Sequence, residues 1–349
     1  MKKRIAVLGF AVLMGLLSFS CVTSTDQSYW PTKEWKSSPP GRQGMDPAKV
    51  RAIDSYIRET LPMTSSVLVA RHGYIVFERY FTRDRSDPRE VYSATKSVVS
   101  ALVGLAISQG YLKGADQRLI EFFPENVSEK LNPQANQITL RHLLTMSDGI
   151  SKEDASTYFT EHTLDAPLKA EPGKEFFYNS MSPQLLSMII TKVTGLKAFD
   201  FAKKHLFEPL GISNVTWSDD WGYSNGAYGL LLSTPDMAKI GYLYLRGGIW
   251  GNKQVVPPEW IAESTREHIQ TGILTDQTWT YGYLWWVHPF RDHPGFVAYG
   301  AMCQSISVIP DLDLVVVITT SDPVDEGSEK YLSIIEDYVI PSIQKKVTR

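Results

Sequence analysis

Apolar residues recur at helical or strand spacing at both ends of the globular part of the chain. Between Met45 and Thr60 they recur every three or four positions, which predicts a helix. Two β-rich runs follow at 66–70 and 73–79, and another pair lies at 304–310 and 314–319. Turn residues separate the members of each pair, so each pair predicts an antiparallel hairpin.

The middle of the chain has a different pattern. Roughly from 114 to 233 the apolar spacing is helical with long loops, for example at 182–193, where Gly195 provides a stop signal. An amphipathic helix is also predicted at 331–344. The expected fold is therefore α+β: one antiparallel sheet shared by both ends and flanked by helices, with a mostly α-helical insertion, in a single domain over 45–345.

The first twenty residues have the pattern of an export signal. Basic residues precede an apolar run from Ile5 to Leu17, which is too short for a comfortable membrane span. The following Leu-Ser-Phe-Ser-Cys resembles a loose bacterial lipobox, so we expect lipidation of Cys21 and attachment to a membrane. The alternative is a simple secretory peptide. Residues 21–44 are predicted to be a tether, and the protein to be exported to the bacterial cell envelope, as a lipoprotein facing the periplasm.

Charge and composition limit the classes of partner that we expect for this protein. The 349 residues carry a formal net charge of −3 with scattered Lys and Arg, so neither nucleic acid nor an anionic surface is an expected partner. We instead expect the partner to be a small, roughly neutral molecule. The seven histidines show no zinc-binding spacing, and Cys303 alone remains if Cys21 is lipidated. We expect no metal, no cofactor and no internal disulfide.

The strongest chemical signal is Ser93-Ala-Thr-Lys96, which opens an almost wholly apolar segment that ends at Gly110. A serine at the N-terminus of such a helix benefits from the positive end of the helix dipole. Lys96 lies one turn along on the same face and can accept the serine proton if burial lowers its pKa. A second Ser-x-x-Lys, Ser342 to Lys345, lies near the charged C-terminal end and shows that the spacing alone is weak evidence.

A rival nucleophile is Ser224, in Gly222-Tyr-Ser-Asn-Gly226, with His268, His288 and His293 as nominal partners. The nucleophile elbow of α/β-hydrolases needs an apolar strand before it and a helix after it. Polar and Gly-rich sequence flanks this motif instead, which favours a loop.

Several segments, taken in order, resemble the serine β-lactamase and penicillin-binding protein superfamily. Residues 92–119 resemble its nucleophile helix, 138–149 the segment that follows, and 172–180 the stretch that supplies its second motif. Segments 233–260 and 281–286 also match. The resemblance extends over about residues 45 to 345, and the order of the motifs is more specific than any one of them.

The resemblance implies roles for individual residues. The second motif, Tyr-x-Asn, corresponds to Tyr178, with Ser180 in place of its Asn; Tyr178 would share the proton with Lys96 and protonate the leaving group. A neighbouring ammonium is expected to lower the pKa of such a phenol. The backbone N–H groups of Ser93 and Ala301 would form the oxyanion hole.

The third motif, Lys-Thr-Gly in the superfamily, aligns with Ala298-Tyr299-Gly300, so its cation is missing. This argues against efficient hydrolysis of β-lactams and against D-Ala-D-Ala trimming. The nearer match is the esterase and 6-aminohexanoate-oligomer hydrolase branch, with Cys303 where that branch has Gly. Tyr299, Gly300 and Ser180 are expected to contact substrate. So is Trp286, one of a group of aromatic residues that are candidate pocket walls: Trp221, Tyr223, Trp279, Trp285 and Trp286.

The predicted function is therefore hydrolysis of an ester or amide bond in a small substrate through a Ser93 acyl-enzyme. The alternative from another class is a membrane-tethered binding protein that keeps this fold and has lost catalysis.

Overall fold

A single large sheet organises the molecule in the computed structural model, which describes residues 29–126, 132–150, 167–272, 279–321 and 328–344. Within these residues the sheet has nine strands: β1 (Lys36–Ser37), β2 (Thr64–Arg71), β3 (Tyr74–Tyr80), β4 (Ile269–Gln270), β5 (Thr280–Tyr281), β6 (Trp286–Phe290), β7 (His293–Gly300), β8 (Gln304–Ile309) and β9 (Leu314–Thr320). Their spatial order is β1-β3-β2-β9-β8-β7-β6-β5-β4. Among the strand pairs of this sheet in the described ranges, only β1–β3 is parallel.

Both predicted hairpins are confirmed, and they join the two ends of the chain. β2 pairs with β3 across the turn at His72 and Gly73, and β8 pairs with β9. β9 also pairs antiparallel with β2, so that Leu314 lies opposite Arg71. Strands from the two ends of the chain therefore lie next to each other in one sheet, as the paired runs at each end predicted.

Helices cover both faces of the sheet. They are α1 (Pro47–Thr60), α2 (Thr95–Ser108), α3 (Leu140–Leu144), α4 (Met181–Thr194), α5 (Ala198–Ala202), α6 (Thr234–Leu245), α7 (Pro258–Ser264), α8 (Ser328–Ser333) and α9 (Ile340–Ser342). Wider π-type turns at Lys203–Phe207 and Ile334–Val339 continue α5 and α8. Short 3-10 turns lie at Pro40–Gln43, Tyr92–Ala94, Leu119–Glu121, Pro124–Asn126, Ala135–Gln137 and Pro310–Leu312.

Alternation along the central strands divides the core in two. In β9, Val315 and Val317 face a cluster that contains α2, α4 and α6, whereas Val316 and Ile318 face one that contains α1 and the C-terminal helical segments. The buried residues of α1 are those that the helical spacing predicted. The α+β class is thus confirmed, with an antiparallel sheet between two helical layers.

Helix α2 is buried almost all round, as its composition predicted. Twelve of its residues, from Thr95 to Ala106, have little or no exposed surface. Gly104 lets α7 approach, because a Cβ there would lie 2.4 Å from the ring of Trp260. Because α2 is packed on every side, the residues at its N-terminal end are held firmly in place.

Small β pairs lie outside the main sheet. Leu230–Leu232 pairs on one side with Arg89–Glu90 and on the other with Thr216–Trp217. Asp219–Asp220 pairs with Tyr223–Ser224, and Ile249–Trp250 with Lys253–Gln254. The region 114–233 therefore contains strands besides its helices.

The predicted tether needs a correction at its C-terminal end. Trp35 is buried, its indole N–H donates to the carbonyl of Pro235 at 3.0 Å, and its ring packs against Tyr242. β1 follows directly. Trp35 and the strand that follows it attach this segment to the fold, and the polar residues around Trp35 give no sign of its burial in the sequence. The export signal and Cys21 lie outside the described residues. Within the described ranges, no helix is both long and apolar enough to cross a membrane.

Candidate active site

Ser93 and Lys96 meet at the N-terminal end of α2. Ser93 lies in the 3-10 turn directly before the helix, and Lys96 in the first helical turn. The Lys96 ammonium nitrogen donates to Ser93 Oγ at 2.8 Å and to the carbonyl of Ala227 at 3.0 Å. Only 2% of Lys96 is exposed, and this burial lowers its pKa to about 7. About half of the Lys96 side chains are then neutral near pH 7 and able to accept a proton.

The turn that carries Ser93 is tightly constrained. Tyr92, directly before it, has a φ of +47°, an uncommon backbone conformation for a residue with a side chain. β7 approaches this turn so closely that a Cβ on Gly300 would lie 2.2 Å from the carbonyl oxygen of Val91 and 3.0 Å from the amide nitrogen of Ser93. Only glycine fits there. The approach brings the backbone that leads into Ala301 next to the Ser93 amide, where the predicted oxyanion hole requires it.

The last part of β7 is paired on one side only in the described structure. Its residues up to Val297 pair with β6, whereas Ala298, Tyr299 and Gly300 pair with β8 alone. The backbone of 298–300 is therefore an open strand edge beside Ser93.

Ala298 and Tyr299 point to opposite faces of the sheet. Ala298 is fully buried in the core cluster that contains α2. The Tyr299 ring packs with the other cluster, and its hydroxyl donates to Cys303 Sγ at 3.4 Å. A role for Tyr299 in substrate binding thus depends on its backbone rather than its side chain.

Tyr178 lies against the Ser93–Lys96 pair. The Lys96 ammonium is 5.0 Å from the centroid of the tyrosine ring. Burial raises the pKa of Tyr178 to about 12, and hydrogen bonding to Ser93 opposes this only in part. The expectation of a lowered pKa was wrong, because removal from water outweighs the charge of a lysine that is itself only partly protonated. Tyr178 is therefore a neutral phenol near pH 7.

The segment around Tyr178 is fixed through its backbone. The Phe177 amide donates to the carbonyl of Met146 at 2.8 Å. The Asn179 side chain donates to the Phe177 carbonyl and accepts from the Ser182 amide, both at 2.8 Å. Ser180 is the N-cap residue of α4, without a side-chain capping bond, and is partly exposed. Tyr178 is thus held between residues that are anchored on both sides.

Aromatic rings form one wall beside Tyr178. The half-buried Trp286 has its ring centroid 5.5 Å from that of Tyr178, and Phe176 and Tyr281 pack against both. The other predicted wall residues are placed differently. Trp285 is fully buried in the core, and Trp221 is exposed at the tip of a small hairpin. Trp279 packs behind Trp286 with centroids 6.0 Å apart.

The rival nucleophile Ser224 and the serine of the second Ser-x-x-Lys, Ser342, are both engaged elsewhere. Ser224 is fully buried, and its hydroxyl accepts from the amide of Phe199 at 3.0 Å. It lies in a two-residue strand rather than at a strand-to-helix turn. Ser342 is also buried and donates to the carbonyl of Val339. The lysine of that motif, Lys345, lies outside the described residues.

Two features of the site were not predicted. The Ala227 carbonyl, on a Gly-rich loop distant in sequence, is a second acceptor for Lys96. Asp148, to which no role was assigned, is buried near Tyr178 and accepts from the amide of Ile150 at 2.9 Å. In the sequence Asp148 stands between Ser147 and Gly149, which is the composition of a turn and gives no sign of burial. Among the described residues, no group of three or more metal-binding side chains occurs.

Comparison with known proteins identifies the family of this chain. The family model described as Beta-lactamase matches residues 63–336. The chain belongs to the beta-lactamase family. The matched residues contain Ser93, Lys96, Tyr178 and the Gly300 turn, so the candidate site lies wholly within the part of the chain that defines the family.

A curated relative and several solved structures are similar to this chain. The chain is 24% identical over 302 residues to the 6-aminohexanoate-dimer hydrolase of Paenarthrobacter ureafaciens, covering 78% of this chain and 75% of the relative. EstCE1, a hydrolase with promiscuous acyltransferase activity, shares the fold with a TM-score of 0.70 and 18% identity over 84% of this chain and 97% of its own. The octameric penicillin-binding protein homologue of Pyrococcus abyssi has a TM-score of 0.68 and 21% identity over 86% and 78%.

Proposed function

We propose that this protein is a serine hydrolase that cleaves an ester or amide bond of a small substrate through an acyl-enzyme on Ser93. The observation that carries the proposal is the 2.8 Å contact between the Ser93 hydroxyl and a buried lysine whose pKa is about 7. A catalytically idle binding protein has no need to bury an ammonium, which is costly to remove from water. The intact pair therefore favours catalysis over binding alone.

In the proposed mechanism neutral Lys96 takes the Ser93 proton as Oγ attacks the substrate carbonyl. The amides of Ser93 and Ala301 donate to the oxyanion of the tetrahedral intermediate. Tyr178, protonated near pH 7, gives its proton to the leaving group and regains one from Lys96. Water then attacks the acyl-enzyme by the same steps in reverse, releases the acid and restores Ser93.

The aromatic wall favours substrates with an apolar acyl or leaving group. Trp286 is half-buried and packs against Tyr178, so a group that lies on its ring is close to the reacting atoms. The open edge at 298–300 offers hydrogen bonds to an amide or ester backbone. Ser180 is partly exposed at the start of α4 and is proposed to contact the same substrate.

We also propose that β-lactams are hydrolysed poorly or not at all. Ala298 stands where the superfamily motif has a cation, and it is fully buried. A substrate carboxylate would then lose its ionic partner at this position, and charge-assisted hydrogen bonds are the strong ones.

The proposal is tested by intact-mass spectrometry after exposure to a fluorophosphonate, with turnover of p-nitrophenyl acetate and butyrate measured in parallel. We expect one adduct on the wild type and none on Ser93→Ala, with loss of turnover in the variant. Ser224→Ala is the matched control and should keep both. An adduct on Ser93→Ala would refute Ser93 as the nucleophile, and no adduct or turnover in the wild type would favour the binding protein.

Membrane attachment is a separate proposal. The lipobox-like sequence before Cys21 supports lipidation and a place in the bacterial cell envelope. Labelling cells with an alkynyl fatty acid should modify the wild type and leave Cys21→Ser unlabelled. Equal labelling of both would exclude Cys21 as the anchor.

A further inference from the structure

Asp148 is a buried acid that the proposed mechanism does not use. It follows α3 and is only 1% exposed. Within the described part of the chain, no ion pair joins Asp148 to a cation. The backbone of Lys169 bonds that of Gly149, and the Lys169 ammonium lies 5.4 Å from the ring centroid of Phe177. Burial raises the pKa of Asp148, opposed by hydrogen bonds from Ser182 and Ile150. A lone buried carboxylate is costly, and protonation is the usual remedy.

The hydrogen bonds around Ser182 favour a proton on Asp148. Ser182 Oγ is 2.6 Å from Asp148 Oδ2 and 2.9 Å from Asn179 Oδ1. The Asn179 amide cannot be reversed, because its oxygen accepts from the Ser182 amide and its nitrogen donates to the Phe177 carbonyl. A single hydroxyl proton therefore faces two acceptor oxygens. With a proton on Asp148 Oδ2, the carboxyl donates to Ser182 and Ser182 donates to Asn179.

We infer that Asp148 is a neutral carboxylic acid that positions Tyr178 through the chain Asp148–Ser182–Asn179. Asn179 is the direct neighbour of Tyr178, and its side chain bonds the Phe177 carbonyl on the other side. The chain thus fixes the two peptide units that flank the phenol. Asp148 and Ser182 are positioning residues rather than catalytic ones, and their effect on turnover rests on the proposed function.

Two substitutions of Asp148 test whether it acts as a hydrogen-bond donor or as a charged carboxylate. In Asp148→Asn the amide nitrogen donates to Ser182 as the protonated carboxyl does, and the amide oxygen still accepts from Ile150. We expect kcat for p-nitrophenyl butyrate within about threefold of the wild type. Asp148→Leu breaks the chain, and since a misplacement of about 1 Å can cost up to about 10² in rate, we expect kcat to fall at least tenfold while KM changes less.

Ser182→Ala has a matched control on the same helix. Ser187 is equally buried and donates to the Ser224 carbonyl at 2.6 Å, so Ser187→Ala removes a comparable hydrogen bond that does not reach Asn179. With ring-¹³C tyrosine, the Tyr178 resonance, assigned through Tyr178→Phe, should shift in Ser182→Ala and Asp148→Leu. It should stay in place in Ser187→Ala and Asp148→Asn.

Infrared spectroscopy reads the proton directly. The wild type near pH 7 should show a protonated-carboxyl stretch that Asp148→Asn lacks. If both spectra agree, or if Asp148→Asn shifts the Tyr178 resonance as strongly as Asp148→Leu, Asp148 is ionised and the inference is wrong. These two readouts need no turnover. An inactive wild type would therefore refute the proposed function, whereas the infrared and tyrosine spectra would still decide whether the positioning chain exists.

Discussion

Replacing Lys96 by Met should weaken catalysis and change how stability depends on pH. The ordinary pKa of a lysine is 10.5, and burial lowers that of Lys96 to about 7. Each pKa unit corresponds to about 1.4 kcal/mol, so keeping Lys96 protonated inside the folded protein costs about 5 kcal/mol near pH 7. Methionine has a similar length and no charge. It removes this cost and, with it, the proton acceptor.

The sign of the pH effect follows from proton counting. Between about pH 7 and 10.5 the unfolded chain keeps the proton that the folded protein has lost, so the free energy of unfolding of the wild type rises with pH in this window. The calculated gain between about pH 7 and pH 9 is about 2 kcal/mol. Lys96→Met lacks this contribution. The difference between the two proteins should therefore change by that amount in favour of the wild type.

The assay is guanidinium chloride unfolding followed by circular dichroism at several pH values. Lys49→Met, which removes an exposed ammonium from α1, is the control and should follow the pH dependence of the wild type. In parallel, kcat/KM of the wild type for p-nitrophenyl butyrate should rise with a midpoint near pH 7, and Lys96→Met should lose about 10²–10⁴ in rate. Parallel stability curves for wild type and Lys96→Met would show that the pKa of Lys96 is not lowered, and the choice of Lys96 as base would fail.

Three further changes test separate parts of the site. Tyr178→Phe should lower kcat by about 10²–10³, more for amides than for activated esters, because the proposed role of the phenol is to protonate the leaving group; equal loss on both substrates would contradict this role. Gly300→Ala should reduce fluorophosphonate labelling at least tenfold, since its Cβ would overlap the nucleophile turn, whereas Gly41→Ala, where the nearest atom is 3.7 Å away, should label normally. Trp286→Ala should raise KM for p-nitrophenyl butyrate more than for the acetate, and an equal rise would exclude an acyl-binding wall.

The sequence predicts the fold well where the pattern is local. The apolar spacing of α1 and the paired β-rich runs predict elements that form from neighbouring residues, and the structure confirms them. The Ser93–Lys96 contact is likewise predictable, because a helix fixes side chains three residues apart on one face. Trp35 shows the limit. Its burial depends on Pro235 and Tyr242, two hundred residues away, and nothing in the polar segment around it marks that contact.

Dependence on contacts between distant residues also explains which features of the site could not be predicted from the sequence. The Ala227 carbonyl and the Gly300 turn reach Ser93 and Lys96 only through tertiary packing. Asp148 was left without a role, because an acid beside a glycine has the composition of a turn. Whether such an acid is solvated or buried depends on α4, which brings Ser182 against it.

The pKa of Tyr178 shows how this affects mechanism. From the sequence, an ammonium beside a phenol suggests that the phenol gives up its proton easily. In the folded protein, burial acts on both groups and drives each toward its neutral form, lowering the pKa of Lys96 to about 7 and raising that of Tyr178 to about 12. Because burial moves the two pKa values apart, the two groups differ in what they can do near neutral pH. The lysine can accept a proton, and the phenol can donate one. The proposed assignment of Lys96 as base and Tyr178 as acid therefore rests on burial, which the spacing of the motifs does not encode.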